Sequence, residues 1–238
     1  MTDAATLVLV HGAWSGSWMW WKLAPFLDVR GVAHHEVDLP TCSASDTSVD
    51  VHDDVAHVRE VVESLDGPVV LVGNSYGGAV ITGVLSTNVA RLVYLAAFMP
   101  AENEALFPLM SQSATPDFGS AVEMLSDGRM HLDSDVEIRC ALQQATADDH
   151  DIVRTKTSHA MSFGTDFDVA FGRVAWRDTP STYVVCLDDR SIRPELQVSW
   201  AKERATDTVE VPFDHCPQVS HPAEIGDLLA AIARDATS

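Results

Sequence analysis

VVLVGNSYGGAVITG, residues 69–83, runs from an apolar, β-branched stretch through a glycine-flanked serine into small residues of helical character. Gly73, Ser75 and Gly77 fit the pattern G-x-S-x-G, and Gly78 adds another position without a side chain. The pattern describes a sharp strand-to-helix turn, with glycines where a Cβ would meet neighbouring backbone and the serine exposed at the tip. A serine held there is a nucleophile in need of a base. The alternative is a surface-loop serine, and the rest of the chain bears on the choice.

On either side of this stretch, short apolar runs alternate with amphipathic ones. TLVLV (6–10) reads as a buried strand, followed by a helical stretch over about 17–29, and HHEVD (34–38) reads as a second strand. In DVHDDVAHVREVVESL (50–65), Val51, Val55, Val58, Val62 and Leu65 fall on one helical face, ended by Asp66, Gly67 and Pro68. A strand over 69–72, a helix over 75–85 and a strand over 91–98 follow. After a long interruption the alternation resumes with STYVVCL (181–187), a helix near 194–203, a strand over 206–212 and a closing helix from about 222 to 234. This is the signature of an α/β fold, a mostly parallel sheet of about six strands with helices on both faces.

The interruption spans about 100–179. It holds Phe107, Met110, Phe118, Met124, Met130, Met161, Phe163, Phe167 and Phe171 without a sustained period, which is too apolar for a disordered linker. One domain over 1–238, carrying one insertion, accounts for the length of 238 residues.

Composition narrows the function classes. A formal net charge of −20 repels phosphate backbones and anionic lipid, so neither nucleic acid nor a membrane is expected as a partner. No apolar run approaches the roughly 20 residues of a membrane span. The stretch MTDAATLVLVHG has no basic segment before its apolar run, from which a cytoplasmic location is expected. Cys42, Cys140, Cys186 and Cys216 lack metal or redox spacing and read as free thiols.

A serine hydroxyl needs a base to take its proton and an acid to orient that base. In enzymes with this kind of turn, acid and histidine follow the serine in that order, each after a later strand. Asp188 and Asp189 both follow STYVVCL, and His215 in VPFDHCP lies directly beyond the last strand. His221 is the second candidate for the base, although it falls where the closing helix begins. Asp214 is adjacent to His215 and poorly placed to reach round to its ring. His11 reads as structural, while His34, His35, His52, His57, His131, His150 and His159 make no recognisable metal pattern. A tetrahedral intermediate also needs backbone N–H donors. Tyr76, after the nucleophile, is one; Ala13, in the HGAWSG loop after the first strand, is the other.

LVLVHGAWSGSWMWWKLAPFL, VVLVGNSYGGAVITG, VYLAAFMP, VVCLDDRSIRPELQ and DHCPQVSHP together resemble the α/β-hydrolase family that contains plant methyl esterases, such as salicylate methyl esterase, the hydroxynitrile lyases and related bacterial esterases. The resemblance runs nearly end to end and is weakest in the insertion, which corresponds to the family's lid. It implies an α/β-hydrolase fold and Asp189, not Asp188, as the acid. Most relatives have a histidine before the serine, whereas this chain has Asn74. The lyases of the family use a threonine after the first-strand histidine and a lysine after the catalytic one. Here those positions are Gly12 and Cys216.

The reading is a serine carboxylic-ester hydrolase that works through an acyl-enzyme on a small, neutral, apolar or aromatic ester. Its proposed site is Ser75, Asp189 and His215, with an oxyanion hole from Ala13 and Tyr76. A C–C or C–O lyase of the hydroxynitrile type and a non-catalytic ligand receptor are the alternatives. No cofactor or metal is implied, and the resemblance is compatible with a homodimer.

Overall fold

The computed structural model describes residues 4–43, 46–157, 160–166 and 168–237, so His159 and Phe167 lie outside the described residues. The first strand, β1 (Thr6–Val10), leads through a 3-10 turn at Ser17–Trp20 into α1 (Ala24–Val29) and β2 (His34–Val37). The single helix expected over 17–29 is thus two pieces. Pro25, which has no amide hydrogen and crowds the residues before it, stands in the first turn of α1, where a proline is tolerated. A short helix α2 (Pro40–Ser43) precedes α3 (Val51–Ser64). Asp50 caps α3 by accepting from His52 N at 2.7 Å, and Asp53 returns the bond to Asp50 N at 2.9 Å.

β3 (Val69–Asn74), α4 (Tyr76–Gly83) and β4 (Val89–Leu95) complete the first half. Beyond the insertion come β7 (Ser181–Cys186), α9 (Pro194–Arg204), β8 (Asp207–Val211), α10 (Pro217–Ser220) and α11 (Pro222–Asp235). The six strands lie in the order β2-β1-β3-β4-β7-β8, and every neighbouring pair is parallel. The alternation of side chains along each strand divides the core between two faces. Val8, Val10, Leu71, Leu92 and Tyr94 pack with α3 and α4, whereas Leu7, Leu9, Val70, Val72 and Val93 pack with α1 and α11. Each such fully buried aliphatic side chain contributes roughly 1.5–3 kcal/mol, which is why the strands at the centre of the sheet are continuous apolar runs.

The insertion contains more regular structure than its sequence announces. It comprises α5 (Leu106–Ser113), α6 (Pro116–Gly119), the antiparallel hairpin β5 (Val122–Met124) and β6 (Met130–Leu132), then α7 (Ser134–Ala141) and α8 (Ala147–Lys156). Asp133 caps α7, and Thr146 with Asp149 forms a reciprocal cap on α8. No long apolar period appears because these pieces are short and serve two environments. Ile138, Ala141 and Val153 join a small cluster with Met19 and Val219, while other positions line a cavity. Among the described residues no helix is long and apolar enough to cross a membrane.

Candidate active site

Ser75 sits between β3 and α4 with φ +54° and ψ −120°, a conformation that non-glycine residues rarely adopt. Such strain costs on the order of 1–3 kcal/mol, and the surroundings must hold it. Ser75 N donates to Leu95 O at 3.3 Å, and its carbonyl accepts from Gly78 N at 3.0 Å and Phe98 N at 3.1 Å. The flanking glycines are required by close approach. A Cβ on Gly73 would stand 2.5 Å from Gly77 O, and one on Gly77 would run into the Val10 carbonyl oxygen.

Asp189 follows β7 and His215 follows β8, and the two side chains meet in the interior, His215 Nδ1 lying 2.6 Å from Asp189 Oδ2. The carboxylate is held from three further directions. Oδ1 accepts from Ser191 N at 2.7 Å and Ile192 N at 3.0 Å, and Oδ2 accepts from Gln197 Nε2 at 2.6 Å. An acceptor so well supplied with donors takes the Nδ1 proton of the imidazole as one more hydrogen bond, which leaves Nε2 free to act as a base. Asp188, by contrast, is exposed and accepts from Gln144 Nε2 at 2.7 Å. Asp214 accepts from Ser220 Oγ at 2.6 Å and from Gln144 N at 3.0 Å, away from the neighbouring ring. Burial raises its carboxyl above the usual range. His221 joins α10 to α11, its ring stacked on Phe213 with centroids 3.8 Å apart.

Ser75 and His215 line one cavity of about 690 Å³ together with Gly12 and Ala13. No direct hydrogen bond joins Ser75 Oγ to His215 among the described residues. The N–H of Tyr76, first residue of α4, has no carbonyl one turn behind it to bond, and the Ala13 N–H is equally unspent among the described residues. His11 shapes the Ala13 loop from below. Its Nε2 accepts from Leu39 N at 3.1 Å, so Nδ1 carries the proton and donates to Gly12 O at 2.7 Å. Complete burial lowers its pKa to about 4, so the ring is neutral at ordinary pH.

Three supporting residues carried no signal in the sequence, or an incomplete one. Asn74 Nδ2 donates to His215 O at 3.0 Å and to Leu95 O at 2.9 Å, while its Oδ1 accepts from Gln218 Nε2 at 3.0 Å. It therefore ties the end of β3 to the loop that carries His215. Gln197, a lone polar residue buried in α9, bridges Asp189 to Cys186 N, where its Oε1 accepts at 3.0 Å. Asp54 in α3 accepts from Tyr76 Oη at 2.8 Å, from Thr41 Oγ1 at 2.7 Å and from Thr41 N at 3.0 Å, anchoring the first residue of α4 from behind. Burial pushes its carboxyl up to about 6 against the pull of those hydrogen bonds.

The insertion forms the cavity wall farthest along the chain from the strands. Phe163 stands edge-on to Tyr76, Trp14 and Phe107 with centroids 5.7, 5.9 and 6.4 Å apart, and Trp14 Nε1 donates to Met130 O at 2.9 Å. All four cysteines are free and buried, and Cys216 contributes to the cavity lining. Among the described residues no three His, Cys, Asp or Glu side chains cluster so as to hold a metal ion.

A parallel sheet with a strained serine at the end of its third strand, and an aspartate and histidine beyond later ones, defines a hydrolase of the α/β class. The chain belongs to the Alpha/beta hydrolase family, whose profile matches residues 7–228. Its relatives include Methylesterase 8 of Arabidopsis thaliana, 27% identical over 95% of this chain and 88% of that protein. Salicylic acid-binding protein 2 of Nicotiana tabacum is 27% identical over 98% of both chains. A carbendazim hydrolyzing esterase of Nocardioides sp. (strain SG-4G) is 37% identical over 125 residues, 48% of this chain and 50% of that one. The crystal structure of polyneuridine aldehyde esterase superimposes with a TM-score of 0.82 over 97% of this chain and 99% of that chain, at 21% identity. Relatives named as esterases support ester hydrolysis as the activity.

Proposed function

We propose that the protein is a serine carboxylic-ester hydrolase acting on small esters with an apolar or aromatic body. The observation that carries the reading is the 2.6 Å Asp189–His215 contact beside a cavity that also exposes a strained Ser75. In the proposed reaction His215 Nε2 takes the Ser75 proton as Oγ attacks the ester carbonyl carbon, and Asp189 stabilises the imidazolium. The negative charge that develops on the carbonyl oxygen falls to the N–H groups of Ala13 and Tyr76. Collapse expels the alcohol, protonated by His215, and leaves an acyl group on Ser75. Water, deprotonated by the same ring, then releases the acid and restores the serine.

Two features favour ester hydrolysis over cyanohydrin cleavage. Gly12 supplies no hydroxyl to hold a cyanohydrin oxygen, and Cys216 supplies no cation for departing cyanide, which a water-poor site would otherwise stabilise poorly. The test is kcat/KM for a neutral aromatic methyl ester and for mandelonitrile, measured side by side. A higher value for the ester supports the reading, and a higher value for the nitrile overturns it. Tight binding of esters without turnover would make the protein a receptor.

A further inference from the structure

The cavity walls hold one acidic side chain among the described residues, Glu137 in α7. It is only 5% exposed, and it has no ion pair among the described residues. Thr157 Oγ1 donates to Oε2 at 3.1 Å, and Oε1 has no hydrogen-bond partner among the described residues. The reaction derived above makes no use of it. Burial pushes its carboxyl up to about 7, with the nearby His215 pulling it down. A structural link to Thr157 alone would not require a carboxyl, since an amide accepts the same hydrogen bond without the desolvation of a charge. An acceptor with spare lone pairs, in a wall that is largely apolar apart from hydroxyl and amide groups, His215 and the cation Arg193, is matched by a donor that arrives with the ligand.

We propose that Glu137 is the recognition point for an N–H group on the substrate, so that the cavity selects small esters whose apolar body carries an ammonium or a neutral N–H. This deepens the hydrolase reading of the site and rests on it for the ester part of the ligand. The body of such a ligand packs on the aromatic wall, and its nitrogen donates to Glu137 Oε1.

Binding to the Ser75→Ala variant, followed by calorimetry, tests this without turnover. The first matched pair is methyl 3-(aminomethyl)benzoate, an ammonium at neutral pH, against methyl 3-ethylbenzoate. The second is methyl indole-6-carboxylate against its N-methyl counterpart, which separates a neutral N–H from a cation. At pH 8, above the value of about 7 to which burial raises Glu137, at least one nitrogen-donor ester should bind about tenfold or more tightly than its partner, as expected for a hydrogen bond to a charged acceptor. Adding Glu137→Leu should bring both ratios close to one, and Glu137→Gln should selectively weaken the ammonium ester if the leucine variant does not fold. Equal binding within both pairs, or a preference unchanged by either substitution despite a lower Tm, would overturn the proposal. A preference that depends on Glu137 in a protein that hydrolyses neither ester would uphold this subsite while refuting the hydrolase reading. Hydrolysis without any such preference would do the reverse.

Discussion

The sheet and the insertion solve different problems with similar amino acids. β3 is buried at every position and continues directly into the strained serine, whereas in the β5–β6 hairpin Met124 is 58% exposed and Met130 is 3% exposed. In the sheet, apolar residues fill a core on both faces and hold the strand ends that carry Ser75, Asp189 and His215. In the insertion, apolar residues such as Phe107, Phe118 and Phe163 wall the cavity. On the proposed function, the sheet governs reactivity and stability, and the insertion governs what is accepted.

The sharpest way to break that division is at the strand ends. His215→Ala should lower kcat for ester hydrolysis by about 10⁴-fold while the folded state persists, because in the proposed reaction the ring takes the proton of Ser75, and Asp189, which loses the ring's hydrogen bond, keeps its bonds from Ser191 N, Ile192 N and Gln197 Nε2. Steady-state kinetics with circular dichroism checks both halves, and an inactive His221→Ala beside an active His215→Ala would reassign the base. In the sheet core, Leu71→Ala should cost about 2–5 kcal/mol in urea unfolding, since the side chain is wholly buried between close-packed neighbours. A loss below about 0.5 kcal/mol, the range of an exposed site, would contradict the division.

His11 offers a test by pH. Its pKa, about 4 in the folded protein, lies below the usual value of 6.5, so the unfolded chain binds the extra proton first. The stabilisation is complete above about pH 6.5 and is lost as the pH falls towards 4, on the order of 3 kcal/mol in all. Relative to His11→Gln, the wild type should lose that much more stability across the window. Parallel curves for the two proteins would mean that the ring is not buried neutral. The smallest effects belong to the insertion. Phe107→Ala or Phe163→Ala should change KM severalfold between bulky and compact esters with little change in Tm. Unchanged kinetics with a large drop in Tm would return these residues to ordinary core.

The same contrast explains what was legible in the sequence. Strands such as Val69–Asn74 are runs buried on both faces, and α3 has one apolar face with Asp50 ahead of it, so periodicity and caps mark them. α7 and α8 announce themselves only through caps at Asp133 and Thr146, because their faces are shared between a minor cluster and the cavity. In the site, Ser75 and His215 stand at strand ends that local pattern can locate. Asp188 and Asp189 are neighbours that pattern alone leaves equal, and they part only in three dimensions, one exposed and one against the ring. Gln197 and Asn74 act through partners 8 and 141 positions away, which no local pattern reveals.

The role of Ser75 is read most directly by covalent labelling with a fluorophosphonate probe, followed by peptide mapping and ester turnover of the same preparations. A serine nucleophile at the end of β3 gives a single stoichiometric adduct on Ser75, with hydrolysis lost in proportion to labelling, and neither adduct nor turnover in Ser75→Ala. An adduct on another residue, or near-wild-type ester hydrolysis by Ser75→Ala, would contradict that role.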